Sequence, residues 1–177
     1  MSQQILVTAV QLDELIRQGR CVVVDCRFDL VDTKKGRAAW LEGHIRGAGY
    51  ADLDKDLSSP VGPETGRHPL PDTGKFAGFL ASLGWTEDKL LVAYDEGPNA
   101  IAVRLWWLVK YYGKKAALLD GGLAAWRAAG HQLESGAPDL SLAPVPSLEA
   151  NDAMVVITGQ RLASEKTALV LDARASE

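Results

Sequence analysis

The sequence predicts an α/β fold: a parallel sheet with helices on both faces. Three observations predict it. Short aliphatic and β-branched runs alternate along the chain with helical stretches, the order that builds βαβ units. The runs Cys21–Asp25, Leu90–Tyr94 and Ala116–Leu119 are almost continuously apolar, as strands are when both sheet faces are covered. Glycine follows most of the helical stretches, where a chain leaving a helix turns.

Taken in order, Ile5–Val7 is a short apolar run, and Thr8 is the expected N-cap of a helix Ala9–Gln18 that Gly19 ends. The strand Cys21–Asp25 follows. Gly36–Glu42 suggests a short helix stopped at Gly43, and His44–Tyr50 leads into a polar, proline-bearing loop, Asp52–Asp72. Lys75–Leu83 reads as an amphipathic helix closed by Gly84. After the strand Leu90–Tyr94 comes an apolar helix, Ala100–Tyr112, charged only at Arg104 and Lys110, so most of its circumference should be buried. Ala116–Leu119 is the next strand. Asp120-Gly121-Gly122 then turns the chain into the helix Leu123–Ala129, ended by Gly130.

Residues 131–150 have three prolines, several serines and no period, which is linker composition. Beyond them the pattern repeats. Val155-Val156-Ile157-Thr158 echoes Ile5-Leu6-Val7-Thr8, and Leu169-Val170-Leu171-Asp172-Ala173-Arg174 echoes Val22-Val23-Val24-Asp25-Cys26-Arg27. Two matches in one order, at nearly one offset, indicate a second copy of the domain. The expected organisation is a domain over 1–130, a linker over 131–150, and the truncated start of a second domain over 151–177.

The 177 residues carry 23 acidic against 19 basic side chains, a net charge of −4. That balance argues against a nucleic-acid partner, which needs a basic face. No apolar run approaches the ~20 residues that span a bilayer, and the N-terminus lacks the pattern of a signal peptide. A cytoplasmic protein with no membrane partner is expected. The two cysteines, Cys21 and Cys26, should point to opposite faces of one strand, and none of the three histidines stands at metal-ligand spacing from them. No metal is expected.

Several strings together resemble the rhodanese family, and within it the two-domain thiosulfate and 3-mercaptopyruvate sulfurtransferases. They are Val24-Asp25-Cys26-Arg27, Glu42-Gly43-His44-Ile45-Arg46-Gly47-Ala48 and Gly66-Arg67-His68-Pro69-Leu70-Pro71. Further on come Tyr94-Asp95, Ala102-Val103-Arg104-Leu105-Trp106-Trp107 and Leu119-Asp120-Gly121-Gly122-Leu123-Ala124-Ala125-Trp126. Arg46, where the family usually has proline, should alter only a turn. The resemblance implies a rhodanese-like α/β domain in a sulfurtransferase whose nucleophilic cysteine lies in a second, similar domain. That cysteine takes sulfur from thiosulfate or 3-mercaptopyruvate as a persulfide and passes it to cyanide or a thiol, without cofactor. The implied partners are a small-molecule sulfur donor, a thiophilic acceptor and the second domain.

In this chain the nucleophile position is Asp95, which cannot carry a persulfide, and Pro98 removes one N–H from the loop after it. No catalytic residue is therefore expected here. By resemblance the Arg67-His68 loop should face the interdomain cleft, making His68 and Arg67 the candidate substrate-binding residues. His44 should make a turn hydrogen bond, Asp120 should cap its helix, and Asp25 should pair with Arg27 or Arg46. Arg104, if buried, needs a partner, with Asp95 or Asp25 as candidates. Of the Trp106/Trp107 pair, one ring could meet this domain's sheet and the other a second domain. The rival function is a catalytically silent rhodanese-like binding or regulatory module, with Asp95–Ala100 as its contact surface. A phosphatase of the related fold would need a cysteine at the head of that loop.

Overall fold

The computed structural model describes residues 5–151, 156–165, 167 and 169–171. Five parallel strands form one sheet in the order β1-β5-β4-β2-β3. They are β1 Leu6–Val7, β2 Cys21–Asp25, β3 Gly49–Tyr50, β4 Leu90–Tyr94 and β5 Ala116–Leu119. Central β2 and β4 pair in register from Cys21 opposite Leu90 to Asp25 opposite Tyr94. This is the parallel α/β architecture that the sequence predicts.

The side chains of each strand divide between two cores with period two. Val22 and Val24 of β2, Leu91 and Ala93 of β4, and Ala116 and Leu118 of β5 face one core. Val23, Val92, Tyr94, Ala117 and Leu119 face the other. Helices α3 (Thr73–Ser82) and α4 (Ala102–Tyr111) cover the first face. Helices α1 (Ala9–Arg17) and α5 (Gly122–Ala128) cover the second. Cys21 packs against the second core and Cys26 sits in the first, so the two thiols are on opposite faces.

Helix α1 starts where its capping residues place it. The Gln11 N–H donates to Thr8 Oγ1, and the Thr8 N–H donates back to Gln11 Oε1. Helix α2 spans Lys35–Glu42. Helix α3 starts two residues before the expected Lys75, because Asp72 accepts from the Lys75 N–H as N-cap. Helix α5 is not capped by Asp120, whose side chain is exposed. Its N-cap is Gly121, and its first N–H groups, on Leu123 and Ala124, donate to the carbonyls of Asp95 and Glu96 at 2.8 and 3.1 Å. Gly122 is required there: its φ is +58°, and a Cβ would meet the Asp95 carbonyl oxygen and Gly97.

Residues 131–151 form a strap across the domain rather than a free spacer. Glu134 exchanges two backbone bonds of 2.9 Å with His44, and the Gly136 N–H donates to the Leu41 carbonyl. Further on, the Ala143 N–H donates to Ala81 and the Asn151 N–H to Tyr111. Beyond the strap, Thr158 caps α6 (Gly159–Ser164) by accepting from the Arg161 N–H, as Thr8 caps α1. Of the second echo, Asp172–Arg174 lie outside the described residues.

Candidate functional site

Parallel strands end together, so β2 and β4 deliver Asp25 and Asp95 to the same carboxyl edge of the sheet, where ligands of α/β folds bind. A cleft of about 470 Å³ opens at this edge, lined among others by Arg27, Phe28, Gly36, Asp95, Pro98 and Ile101.

Arg27, on its wall, belongs to a buried ion pair. Arg27 grips Asp25 with Nε and Nη2 at 2.7–3.1 Å, and Nη2 also donates to the carbonyls of Ala39 and Gly43. The Tyr94 hydroxyl donates to Asp25 Oδ2 at 2.7 Å and accepts from the Ile45 N–H. Burial alone would lower the Arg27 guanidinium, but the bonds and charge of Asp25 hold it above its ordinary value. Of the two arginines considered for Asp25, the partner is Arg27; Arg46 reaches toward Asp13 instead, at 3.9 Å. Both members are satisfied, so the network fixes the β2–α2 connection and leaves no idle charge.

Asp95 stands at the head of the loop 95–101, where the resemblance puts a nucleophile. Its carboxylate points into its own loop. Oδ1 accepts from the N–H groups of Gly97 and Asn99 at 3.1 and 2.9 Å, and Oδ2 from those of Ile101 and Ala102 at 3.0 and 3.3 Å. A loop of inward N–H groups at a helix start is an anion site, and here the anion is built in. These bonds also explain why α4 begins at Ala102 rather than Ala100: Ile101 and Ala102 turn their N–H groups to the carboxylate.

The two thiols, Cys21 and Cys26, are poorly placed for chemistry. Burial pushes the Cys26 thiol well above its ordinary value, with Asp25 and Asp95 adding to the rise. Burial raises Cys21 to about 11, against a small opposing pull from Lys89. Low-pKa, accessible thiolates are the reactive ones, and neither cysteine is of that kind.

The Arg67-His68 loop lies elsewhere on the surface. His68 is a left-handed residue with φ +59°, and its Nε2 is 3.1 Å from Asp54 Oδ1, with a fifth of its side chain exposed. Arg67 is exposed. Asp54 was not foreseen as a site residue; it lies far back in an aperiodic loop, and no spacing rule connects the two. Arg104 is half-buried, and its expected partners are wrong: neither Asp95 nor Asp25 meets it. It donates from Nε to the Leu57 carbonyl at 2.9 Å, and from Nη2 to the carbonyls of His68 and Pro69 at 2.8 and 3.1 Å. Asp95 is consumed by its loop and Asp25 by Arg27, which left a cation to be met by main-chain oxygens.

His44 is buried, with Nδ1 2.8 Å from the Trp40 carbonyl oxygen. The Ile45–Ala48 turn closes through a 2.8 Å backbone bond with Gly47 at φ +70°, so Arg46 fits an ordinary turn position. Trp106 and Trp107 are both half-buried against the first core, and Trp107 stacks on Tyr111 at 5.2 Å. Among the described residues no group of histidine, cysteine, aspartate or glutamate could hold a metal ion, and no helix is long and apolar enough to cross a membrane.

The family model for the rhodanese-like domain matches residues 8–129, which contain strands β2 to β5 and the residues that line the cleft. The chain belongs to the rhodanese-like family. A Pseudomonas aeruginosa protein named "Probable 3-mercaptopyruvate sulfurtransferase" is 44% identical over 99% of this chain and 63% of its own length. The 3-mercaptopyruvate sulfurtransferase of Escherichia coli K12 is 35% identical over 98% of this chain and 62% of its own. Among solved structures, SseA from Escherichia coli, a 3-mercaptopyruvate sulfotransferase, superposes with a TM-score of 0.78 at 32% identity, over 92% of this chain and 62% of that one. This rhodanese-like chain thus spans less than two thirds of the length of these relatives.

Proposed function

We propose that this chain is the non-catalytic first domain of a sulfurtransferase, with 3-mercaptopyruvate or thiosulfate as sulfur donor. The observation that carries the reading is Asp95: the nucleophile position holds a carboxylate that four loop N–H groups already occupy. In this reading the linker 131–150 leads to a second rhodanese-like domain that begins near residue 151 and bears the cysteine. The capping of α6 by Thr158, in parallel with Thr8 and α1, supports the repeat.

The cysteine thiolate of that second domain attacks the donor's transferable sulfur. A persulfide forms as the S–S bond of thiosulfate breaks and sulfite leaves. With 3-mercaptopyruvate the C–S bond breaks and pyruvate leaves as its enolate, which takes up the mercapto proton. Cyanide or an acceptor thiolate then takes the outer sulfur and regenerates the cysteine thiolate. The first domain contributes one wall of an interdomain cleft, distinct from the cleft at Asp95, where His68 and Arg67 contact the anionic donor. Asp54 Oδ1 lies 3.1 Å from Nε2 of His68, placed to orient the imidazole as a carboxylate does beside a functional histidine. Donor and acceptor are small molecules met in the cytoplasm.

The test is His68→Gln in the full-length protein. The expected result is a kcat/KM for 3-mercaptopyruvate lower by about tenfold or more, the loss of one contact worth about 1.4 kcal/mol. Unchanged kcat/KM would remove His68 from the donor site. A silent binding module is the second reading, favoured by the same occupied loop. A full-length protein that transfers no sulfur from either donor would select it.

A further inference from the structure

We propose that Arg104 is the positioning residue that holds His68 in place, acting through the backbone of the 52–72 loop. This rests on the reading in which His68 touches the sulfur donor. The loop has no regular element between Asp52 and the start of α3 at Thr73, and a single backbone bond beside His68, from Ser59 to Pro69, belongs to its own pairing. Yet His68 adopts φ +59°, a conformation that a non-glycine residue keeps only when its surroundings impose it.

Arg104 supplies that constraint from rigid ground. It stands on α4, whose buried face packs into the first core through Ala102, Leu105, Leu108 and Val109. Its planar guanidinium reaches three carbonyls on two separate stretches of the loop: Leu57 on one side, His68 and Pro69 on the other. The bond to the His68 carbonyl acts on the strained residue itself. A backbone bond from the Ser59 N–H to the Pro69 carbonyl, at 3.2 Å, ties the same two stretches together. Asp54 Oδ1 then stands 3.1 Å from Nε2 of the ring that Arg104 has placed.

The chemistry requires arginine. Among the described residues no carboxylate lies within ion-pair reach of Arg104, so the residue is not kept for charge pairing. A lysine ammonium is a single point of donation and lacks the fork that serves Nε and Nη2 acceptors at once. Arg104 touches no reacting atom in this account and is a positioning residue only.

The experiment compares Arg104→Lys with the unaltered full-length protein by two readouts. The first is the NMR signature of the His68 ring: its chemical shifts and its nuclear Overhauser contacts with Asp54, with backbone amides of the sheet as a control for folding. Arg104→Lys should abolish that signature and leave the sheet amides in place. An unchanged ring signature overturns the proposal. So does a variant that loses the whole amide pattern, since a residue that only holds this loop leaves the sheet intact.

The second readout is a double-mutant cycle on kcat/KM for 3-mercaptopyruvate. Arg104→Lys alone should lower it by about tenfold, and by less than about twofold when His68 is already glutamine. Additive losses would overturn the coupling. Should His68→Gln alone leave kcat/KM unchanged, the donor-contact reading fails, and the ring signature still decides the role of Arg104.

Discussion

At the scale of the residue, the proposed silence of this domain rests on how its ionisable groups are used. Asp95 is a carboxylate with all its acceptor capacity turned inward, and Asp25 is locked to Arg27. The remaining nucleophiles are two thiols whose burial favours the protonated form. For an acid whose folded pKa is raised, the folded state holds the proton more tightly than the unfolded chain. The stability linked to Cys21 is therefore fully present below its ordinary value of 9.0 and is lost as pH rises through about 11. At pH 8 only about a thousandth of Cys21 is thiolate in the folded chain. Iodoacetamide at that pH should label neither cysteine at an appreciable rate until denaturant is added. Rapid labelling of the native chain, with the adduct on Cys26, would contradict this account of the thiols.

At the scale of the element, four of the five strands and the start of α1 were legible in the sequence, whereas β3 and the starts of α3 and α4 were not. Strands β2, β4 and β5 fall where their apolar runs do, because burial on both faces leaves no polar residue to blur the limits. The starts of α3 and α4 depend on carboxylates, Asp72 and Asp95, taking up backbone N–H groups, and such local bonds have no periodic signal. The partners of Arg104 were illegible for a related reason. Charge complementarity points a buried cation to an aspartate, whereas the fold answers it with carbonyl oxygens.

Helix α2 shows how tightly one element can be specified. Gly36 lies where a Cβ would collide with the Arg27 carbonyl oxygen and the Tyr50 hydroxyl, which itself donates to that carbonyl. Its backbone conformation is ordinary, so the requirement is space and not a left-handed turn. Gly36→Ala should destabilise the domain by about 1–3 kcal/mol, the range for overpacking a close-packed site, read as a lower urea midpoint with an unchanged slope. A midpoint equal to that of the unaltered protein would mean that α2 slides away from the β2 terminus at little cost.

At the scale of the whole molecule, the fold class and the motif order of residues 20–130 were readable, and the comparisons agree with them. What was not readable is the path of residues 131–151. Their composition suggests a spacer, but they bind the domain through main-chain bonds to His44, Leu41, Ala81 and Tyr111. Backbone donors are carried by every residue, so sequence does not reveal where they are used. The strap brings the chain to the end of α4 at Tyr111, and the following segment starts from a fixed point on the domain.

The central claim is that this domain frames a sulfur-transfer site without performing the chemistry. Incubating the 177-residue chain with thiosulfate, then measuring thiocyanate on adding cyanide and intact mass before it, tests that claim most directly. No turnover is expected, and no gain of about 32 Da, the mass of one sulfur on a thiolate. A persulfide on Cys26, with turnover lost in Cys26→Ser, would contradict it and place the nucleophile at the end of β2.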